Sequence, residues 1–232
     1  MSQGRTNAQM PTGPSPTNAA IWYAPDGYLP SARGINGRRV AGESFLRGFL
    51  SHGQVQEFVA LTHSQSDYAS FAALARRAGV TRPLRQVRLD APAAMQPVEV
   101  VFYPSPLDST ECWRRAPFGH AAWALCGITH TTATREVMRS LHDLRAAPQM
   151  PWDAIICTST AVQASLRRLM ELGEAQLADR FPGAVLPARP LLPVIPLGVD
   201  CAAFTRDPGA GKALRDRLGI APADVVAVSI AR

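Results

Sequence analysis

The sequence predicts an α/β fold: a mainly parallel sheet covered by helices on both faces. Short apolar runs rich in Val, Ile, Leu and Ala recur along the chain, and most lead into a stretch with apolar residues at helical spacing. The two kinds of segment alternate instead of clustering, which is the pattern of βαβ units. No repeat of fixed period is present. In sheets of this kind ligands bind at the carboxyl ends of the strands, so residues at those ends are the first candidates for function.

The elements follow in order. Residues 1–18 are rich in Pro, Gly, Ser, Thr and Asn and are expected to form a disordered tail, without the apolar stretch of a secretory signal. "AAIWYAPDG" begins the ordered part as a strand broken at Pro25, Asp26 and Gly27. A glycine-containing loop leads to a helix from near Arg38 to Gly53, with Ala41, Phe45, Leu46, Phe49 and Leu50 at helical spacing. "QVQEFVALT" is a strand, and "SDYASFAALARRAG" a helix with Tyr68, Phe71, Ala75 and Ala78 on one face and Gly79 beyond its end. "LRQVRL" and "VEVVFYP" are further strands, and "AAWALCGITHTTATREVMRSLHDLRAA" reads as a helix end, a strand and a helix. "WDAIICTS" is the clearest strand. Thr158 and Ser159 then cap a helix that carries Val162, Leu166, Leu169 and Met170 and is expected to stop at Gly173. A short helix or turn, the apolar strand "LLPVIPLGVD", a helix at "GAGKALRDRLGI" and a last strand-like run, "DVVAVSIAR", complete the chain.

With 232 residues, 47% of them apolar and 18% charged, the chain can bury a sizeable core in one large or two small domains. Its net charge of +6 comes almost entirely from dispersed arginines, with Lys212 the single lysine. No run of like charges or basic stripe interleaved with aromatics is present, which argues against a dedicated nucleic-acid binder, while phosphate-rich ligands would suit the balance. Binding that weakens steeply with salt would mark the nucleic-acid reading. No stretch approaches the ~18 apolar residues of a membrane span. Cys112, Cys126, Cys157 and Cys201 lack metal-ligand spacing and read as buried, reduced thiols of a cytoplasmic protein.

Two strand-end motifs carry candidate chemistry, and a third stretch imitates one. In "RGINGRRVAG", Gly34 and Gly37 would admit a ligand close to the backbone, while the helix start and Arg38 and Arg39 favour an anion. The plain alternative is turn chemistry, and the dinucleotide fingerprint is not met. "CGITHTT" places His130 among hydroxyls at a strand end, where it could bond a sugar or simply satisfy a neighbouring helix end. "DPGAGKAL" imitates a phosphate loop but has Arg206 and Ala213 where that frame needs Gly and Ser or Thr, so it reads as a turn into a helix. No Asp-x-Asp pair or G-x-S-x-G elbow exists, which removes a carboxylate-held metal and a serine nucleophile of those kinds. "STECWRRAPFGHAAW" could stack an acceptor on Trp113, Phe118 or Trp123, or form core and rim.

"LPVIPLGVDCAAF" resembles the hinge of the family-4 glycosyltransferases, retaining enzymes of the GT-B architecture. Ile195, Pro196, Gly198, Val199, Asp200 and Phe204 match its I-P-x-G-V-D-x-x-x-F pattern. "IICTSTAV", "GITHTT" and "GINGRRVAG" are similar, in order, to three further stretches of that family, so the resemblance runs from about Ile21 onward. "VVAVSIAR" resembles the first strand of its second domain, with Ala231 where glycine is usual; Asn36 likewise stands where the first loop tends to have glycine.

The resemblance implies residues 19–196 as a Rossmann-like, acceptor-side domain, the N-terminal half of a GT-B fold. Residues 197–232 would be the hinge and an incomplete start of the nucleotide-sugar-binding domain. It implies transfer of a sugar, with retention and without a metal or cofactor, from a nucleotide diphosphate sugar to a sugar, lipid or small-molecule acceptor. Membrane contact would be peripheral at most. Gly37, Arg38 and Arg232 would meet the diphosphate, and His130, as the catalytic residue, the transferred sugar. The family's later lysine and glutamates are not in these residues, so transfer by this chain alone is not expected. The alternative is a non-catalytic α/β module that holds a phosphorylated or sugar ligand.

Overall fold

The computed structural model describes residues 18–29, 37–95, 98–198, 201, 205–221 and 223–229. Its six strands are β1 (Asn18–Trp22), β2 (Phe58–Thr62), β3 (Leu84–Arg88), β4 (Val98–Phe102), β5 (Ala124–Ile128) and β6 (Ala154–Ile156). They form one sheet in the order β3-β2-β1-β4-β5-β6, every neighbouring pair parallel. The fold is therefore the Rossmann-like α/β architecture expected from the alternation, in the strand order of dinucleotide-binding sheets. Asn18, placed in the tail by composition, instead begins β1, and its side-chain oxygen accepts the Gln56 amide at 3.3 Å.

The helices are α1 (Pro25–Tyr28), α2 (Gly37–His52), α3 (Gln65–Arg77), α4 (Ser109–Arg115), α5 (Arg135–Asp143), α6 (Thr160–Arg180) and α7 (Pro208–Leu218). Because successive strand residues point to opposite faces, β1 and β2 feed two cores. Ile21, Phe58 and Ala60 pack with Leu46 and Leu50 of α2 and Phe71 and Ala75 of α3. Ala20, Val59 and Leu61 share the opposite core with Cys112 of α4, Leu141 of α5, and Leu166 and Met170 of α6. Helices thus cover both faces. Side-chain oxygens of Ser64, Asp108, Thr134 and Ser159 accept free amides at the starts of α3, α4, α5 and α6.

Several expectations need correction. Helix α6 continues through Gly173 to Arg180. That glycine is buried against α5, where a methyl group would lie 3.4 Å from the His142 ring, so it marks a close helix–helix approach and not a helix end. Among its described residues "LLPVIPLGVD" forms two isolated parallel bridges beside β6, at Leu191 and Val194. Leu191 and Ile195 donate their amides to the Asp153 and Cys157 carbonyls, but Pro193 between them has no amide to give, which interrupts the ladder. Helix α4 was not anticipated, although Asp108 and Glu111 have the spacing of a capping box. Cys112 and Cys157 are buried and Cys126 half-buried, but Cys201 is exposed.

One charged pair is wholly interior. Arg115 donates to both carboxylate oxygens of Asp153, at 2.5 and 2.8 Å, and neither side chain is exposed. Asp153 also accepts the amides of Leu125 and Met150, and Arg115 donates to the carbonyls of Trp123 and Pro148. This network ties α4 to the strands on its flank.

The chain divides into two compact units at Leu197 and Gly198. In the second, the rejected phosphate-loop mimic lies inside α7, whose start is capped by Asp207. Lys212 pairs with Asp216 at 2.8 Å instead of facing a loop. Asp224 to Ser229 have no strand pairing among the described residues, where the sequence suggested a strand.

Candidate functional site

The strand order reverses at β1. The chain leaves β1 toward β2 and β3 and returns to β4 on the other flank, opening a crevice at the carboxyl ends of β1 and β4. Beyond β1 the chain turns directly into α1, with Pro25 in its first turn. Tyr23 and Tyr28 stack with ring centres 5.2 Å apart, and the Tyr28 hydroxyl donates to the Trp22 carbonyl at 2.9 Å. The turn is thereby held against the strand it leaves.

Helix α2 begins beside this turn. Gly42 lies so close to α1 that a methyl group there would sit 2.1 Å from the Gly27 carbonyl oxygen. This approach lets Arg38 and Arg39 share Asp26. Arg38 contacts one carboxylate oxygen at 2.6 Å, and the buried Arg39 contacts the other while its Nε donates to the Asp26 carbonyl at 3.2 Å. Hydrogen bonding by Arg39 and then Arg38 holds the Asp26 carboxyl below its ordinary range. Two guanidinium groups against one carboxylate leave net positive charge at a helix start with no acidic residue in its first turn. Such a start suits an anion.

At Gly37 a methyl group would meet no protein atom within 4 Å. The start of α2 is thus exposed at this position.

From the other flank β5 delivers His130. Thr129 fixes the approach: its amide and hydroxyl both donate to the Ile156 carbonyl at 3.0 Å, and its hydroxyl oxygen accepts the Thr158 amide at 3.3 Å. His130 is half-buried and makes no hydrogen bond to another described residue. Burial, and then the positive charge of Arg38, hold its pKa below the ordinary histidine value. The fold thus brings His130 within electrostatic reach of Arg38, although one follows β5 and the other opens the helix after β1.

Arg232, Gly34 and Asn36 lie outside the described residues, as do Val199, Asp200 and Phe204 of the hinge-like stretch. The aromatic patch divides as core and rim: Trp123 is buried, while Trp113 and Phe118 are exposed. Sequence reasoning missed Asp26 and the burial of Arg39. An acidic residue in the turn after the first strand, with Arg-Arg at the next helix start, was the available signal. Among the described residues no group of three His, Cys, Asp or Glu side chains could hold a metal ion. No helix among them is long and apolar enough to cross a membrane.

The class defined by this architecture is a Rossmann-like α/β protein with a basic helix start beside its strand-order reversal. Among solved structures the chain is similar to Anabaena Alr3699/HepE, crystallised in complex with UDP-glucose. The match has a TM-score of 0.50 and 14% sequence identity, over 88% of this chain and 50% of that one. The likeness is one of fold, and this chain spans half the length of its neighbour. No protein-family model and no curated protein matches the sequence.

Proposed function

We propose that this chain is the acceptor-side half of a retaining glycosyltransferase of the GT-B kind, and that its crevice receives a nucleotide diphosphate sugar. The observation that carries this reading is that His130, just beyond β5, lies within electrostatic reach of Arg38, which stands next to Gly37 at the start of α2. Gly37 and the free amides of α2 would face the diphosphate, with Arg38 supplying charge; Arg232 would join them. His130, without a hydrogen bond to another described residue, would offer a ring nitrogen to the transferred sugar. A fold neighbour whose crystals hold UDP-glucose supports the ligand class.

In the reaction so read, the bond from the anomeric carbon to the diphosphate breaks as the acceptor hydroxyl attacks from the same face. The hydroxyl proton passes to the departing phosphate oxygen. Cationic and amide donors stabilise the charge on that oxygen, and they act best where they are already oriented before the bond breaks.

The test is a titration of the 232-residue chain with UDP-glucose, followed by the amide signal of Gly37 and the imidazole signals of His130. Both should shift saturably, and Arg38→Met should weaken binding about tenfold, the loss expected for a charge-assisted contact. Binding that leaves both residues unmoved would place the ligand elsewhere. No binding at all, by this chain or by one carrying a donor-side half, would sink the reading.

A further inference from the structure

Asp26 stands between the two arginines that open α2, and the three side chains are held unequally. Arg39 keeps only 7% of its side chain exposed, against 43% for Arg38 and 53% for Asp26. Arg39 grips the turn twice, at one carboxylate oxygen and, through Nε, at the Asp26 carbonyl 3.2 Å away. The backbone beneath is held as well: Gly27 lies against Gly42, and Tyr28 is stacked on Tyr23 and bonded to Trp22. The carboxylate is thus fixed from its own side, and its second oxygen is a fixed point for Arg38.

Arg38 meets that point with Nη2, at 2.6 Å. Its Nε and Nη1 make no hydrogen bond among the described residues. A guanidinium carries its N–H donors in one rigid plane, so anchoring one of them restrains the direction of the rest. An exposed ion pair ordinarily gains little, because two long side chains must be ordered to make it. Here one partner is short and already in place, so only Arg38 has to be immobilised. His130, from the other flank, feels the charge so placed.

Asp26 has two opposed effects on an anion at this helix start, and their sizes decide which one shows. Its charge repels the anion; removing one such charge at about 8 Å in water-like surroundings tightens binding about twofold. Its hold on Arg38 spares the anion the cost of immobilising a long side chain, which is roughly threefold to tenfold in affinity. Positioning outweighs repulsion.

We infer that Asp26 is a positioning residue: anchored by Arg39, it holds Arg38 ready for a diphosphate, so that a carboxylate strengthens an anion site. The inference rests on the nucleotide-sugar reading for its ligand and on the ion-pair geometry for the ordering.

Asp26→Asn separates the two effects. Asparagine offers one acceptor oxygen where aspartate has two, and the buried Arg39 claims it, because an unmatched buried charge is the costlier one. Arg38 is then left facing an amide nitrogen. The first measurement is 15N relaxation of arginine Nε–Hε groups in the ligand-free 232-residue chain, with Arg38→Met assigning the signal. Arg38 should be more ordered than Arg47, which is exposed and unpartnered on the same helix, and should lose that order in Asp26→Asn. UDP-glucose and inorganic pyrophosphate are then titrated into the parent, both single variants and the double variant. Asp26→Asn should weaken both probes about threefold, yet leave them unchanged or tighten them when Arg38 is already Met, since nothing remains to be positioned. A merely structural role would lower affinity in both backgrounds. The inference is overturned if Arg38 in the parent is as mobile as Arg47, if Asp26→Asn binds as tightly as the parent or tighter, or if the loss persists beside Arg38→Met. If neither probe binds the parent, the nucleotide-sugar reading fails, and the relaxation comparison alone decides whether Asp26 orders Arg38.

Discussion

Two alanine substitutions in one helix test the packing that builds the crevice. A methyl group at Gly42 would lie 2.1 Å from the Gly27 carbonyl oxygen and 3.2 Å from its carbon. Carbon and oxygen come no closer than about 3.3 Å in comfortable contact, so α1 would have to retreat by about 1 Å. It has little room: Gly27 already sits near Pro104, and Tyr28 is stacked on Tyr23 and bonded to Trp22. Overpacking of this kind costs about 1–3 kcal/mol, against a gain of about 0.5–1 kcal/mol from replacing a helical glycine. At Gly48, in the same helix, a methyl group meets nothing within 4 Å, so only the gain should remain. Gly48→Ala should therefore raise stability and Gly42→Ala lower it, and the two should differ by roughly 1–3 kcal/mol. For a unit of this size that is roughly 2–12 °C in melting temperature. Thermal and urea unfolding of both variants would measure it. Equal stability would mean that α1 is not seated on α2 as described, and that the sharing of Asp26 by Arg38 and Arg39 lacks its scaffold.

Asp153→Asn should cost about 3–5 kcal/mol by urea denaturation, because it leaves Arg115 charged, buried and unmatched. The paired change Arg115→Met with Asp153→Leu should recover part of that loss. His130 should titrate below about 6.5 by NMR, and Arg38→Met should move its value upward while burial keeps it below the ordinary one. Because the folded state holds this proton less tightly than the unfolded chain, His130 contributes full stability above about pH 6.5. That contribution should fade as pH drops through the folded value, and His130→Gln should flatten this part of the profile. Burial pushes the Cys112 thiol up to about 12 and that of Cys126 up to about 11, so iodoacetamide at mildly alkaline pH should modify exposed Cys201 first. Peptide mapping that finds Cys112 labelled before Cys201 would contradict the burial.

The parallel sheet was legible because buried strands such as "EFVALT" and "VEVVFY" are near-continuous apolar runs, and the helices between them keep their own periodicity. Helix ends were legible where a cap or a glycine of positive φ fixes them, as at Ser159 and at Gly79, whose φ is 74°. Gly173 misled because a glycine buried for close packing looks, in one dimension, like a glycine that ends a helix. The edge segment Leu191–Val194 misled because apolar composition suggests a strand, whereas the ladder is interrupted by Pro193 within it, which lacks the amide that would face β6. His130 and Arg38 were each identifiable as strand-end candidates. Their meeting was not, since it depends on strand order, which no local pattern encodes. The arginines show the same limit: Arg114 and Arg115 are adjacent in sequence, yet one salt-bridges to Glu111 within α4 and the other is sealed in the core.

Strand order also explains why one sheet edge carries side chains of opposite charge balance on its two faces. At β1 the chain sends α2 to one face and later returns α4 to the other, so the first residues of two helices rise on either side of the same strand ends. The α2 side has Arg38 and Arg39 against one carboxylate and is open at Gly37, which favours an anion. The α4 side has Asp108 and Glu111 against Arg114, which repels one. Alternation along β1 keeps them apart, because Trp22 and Tyr23 on adjacent positions point to opposite faces. The two helix starts thus differ in charge while rising on either side of a single strand.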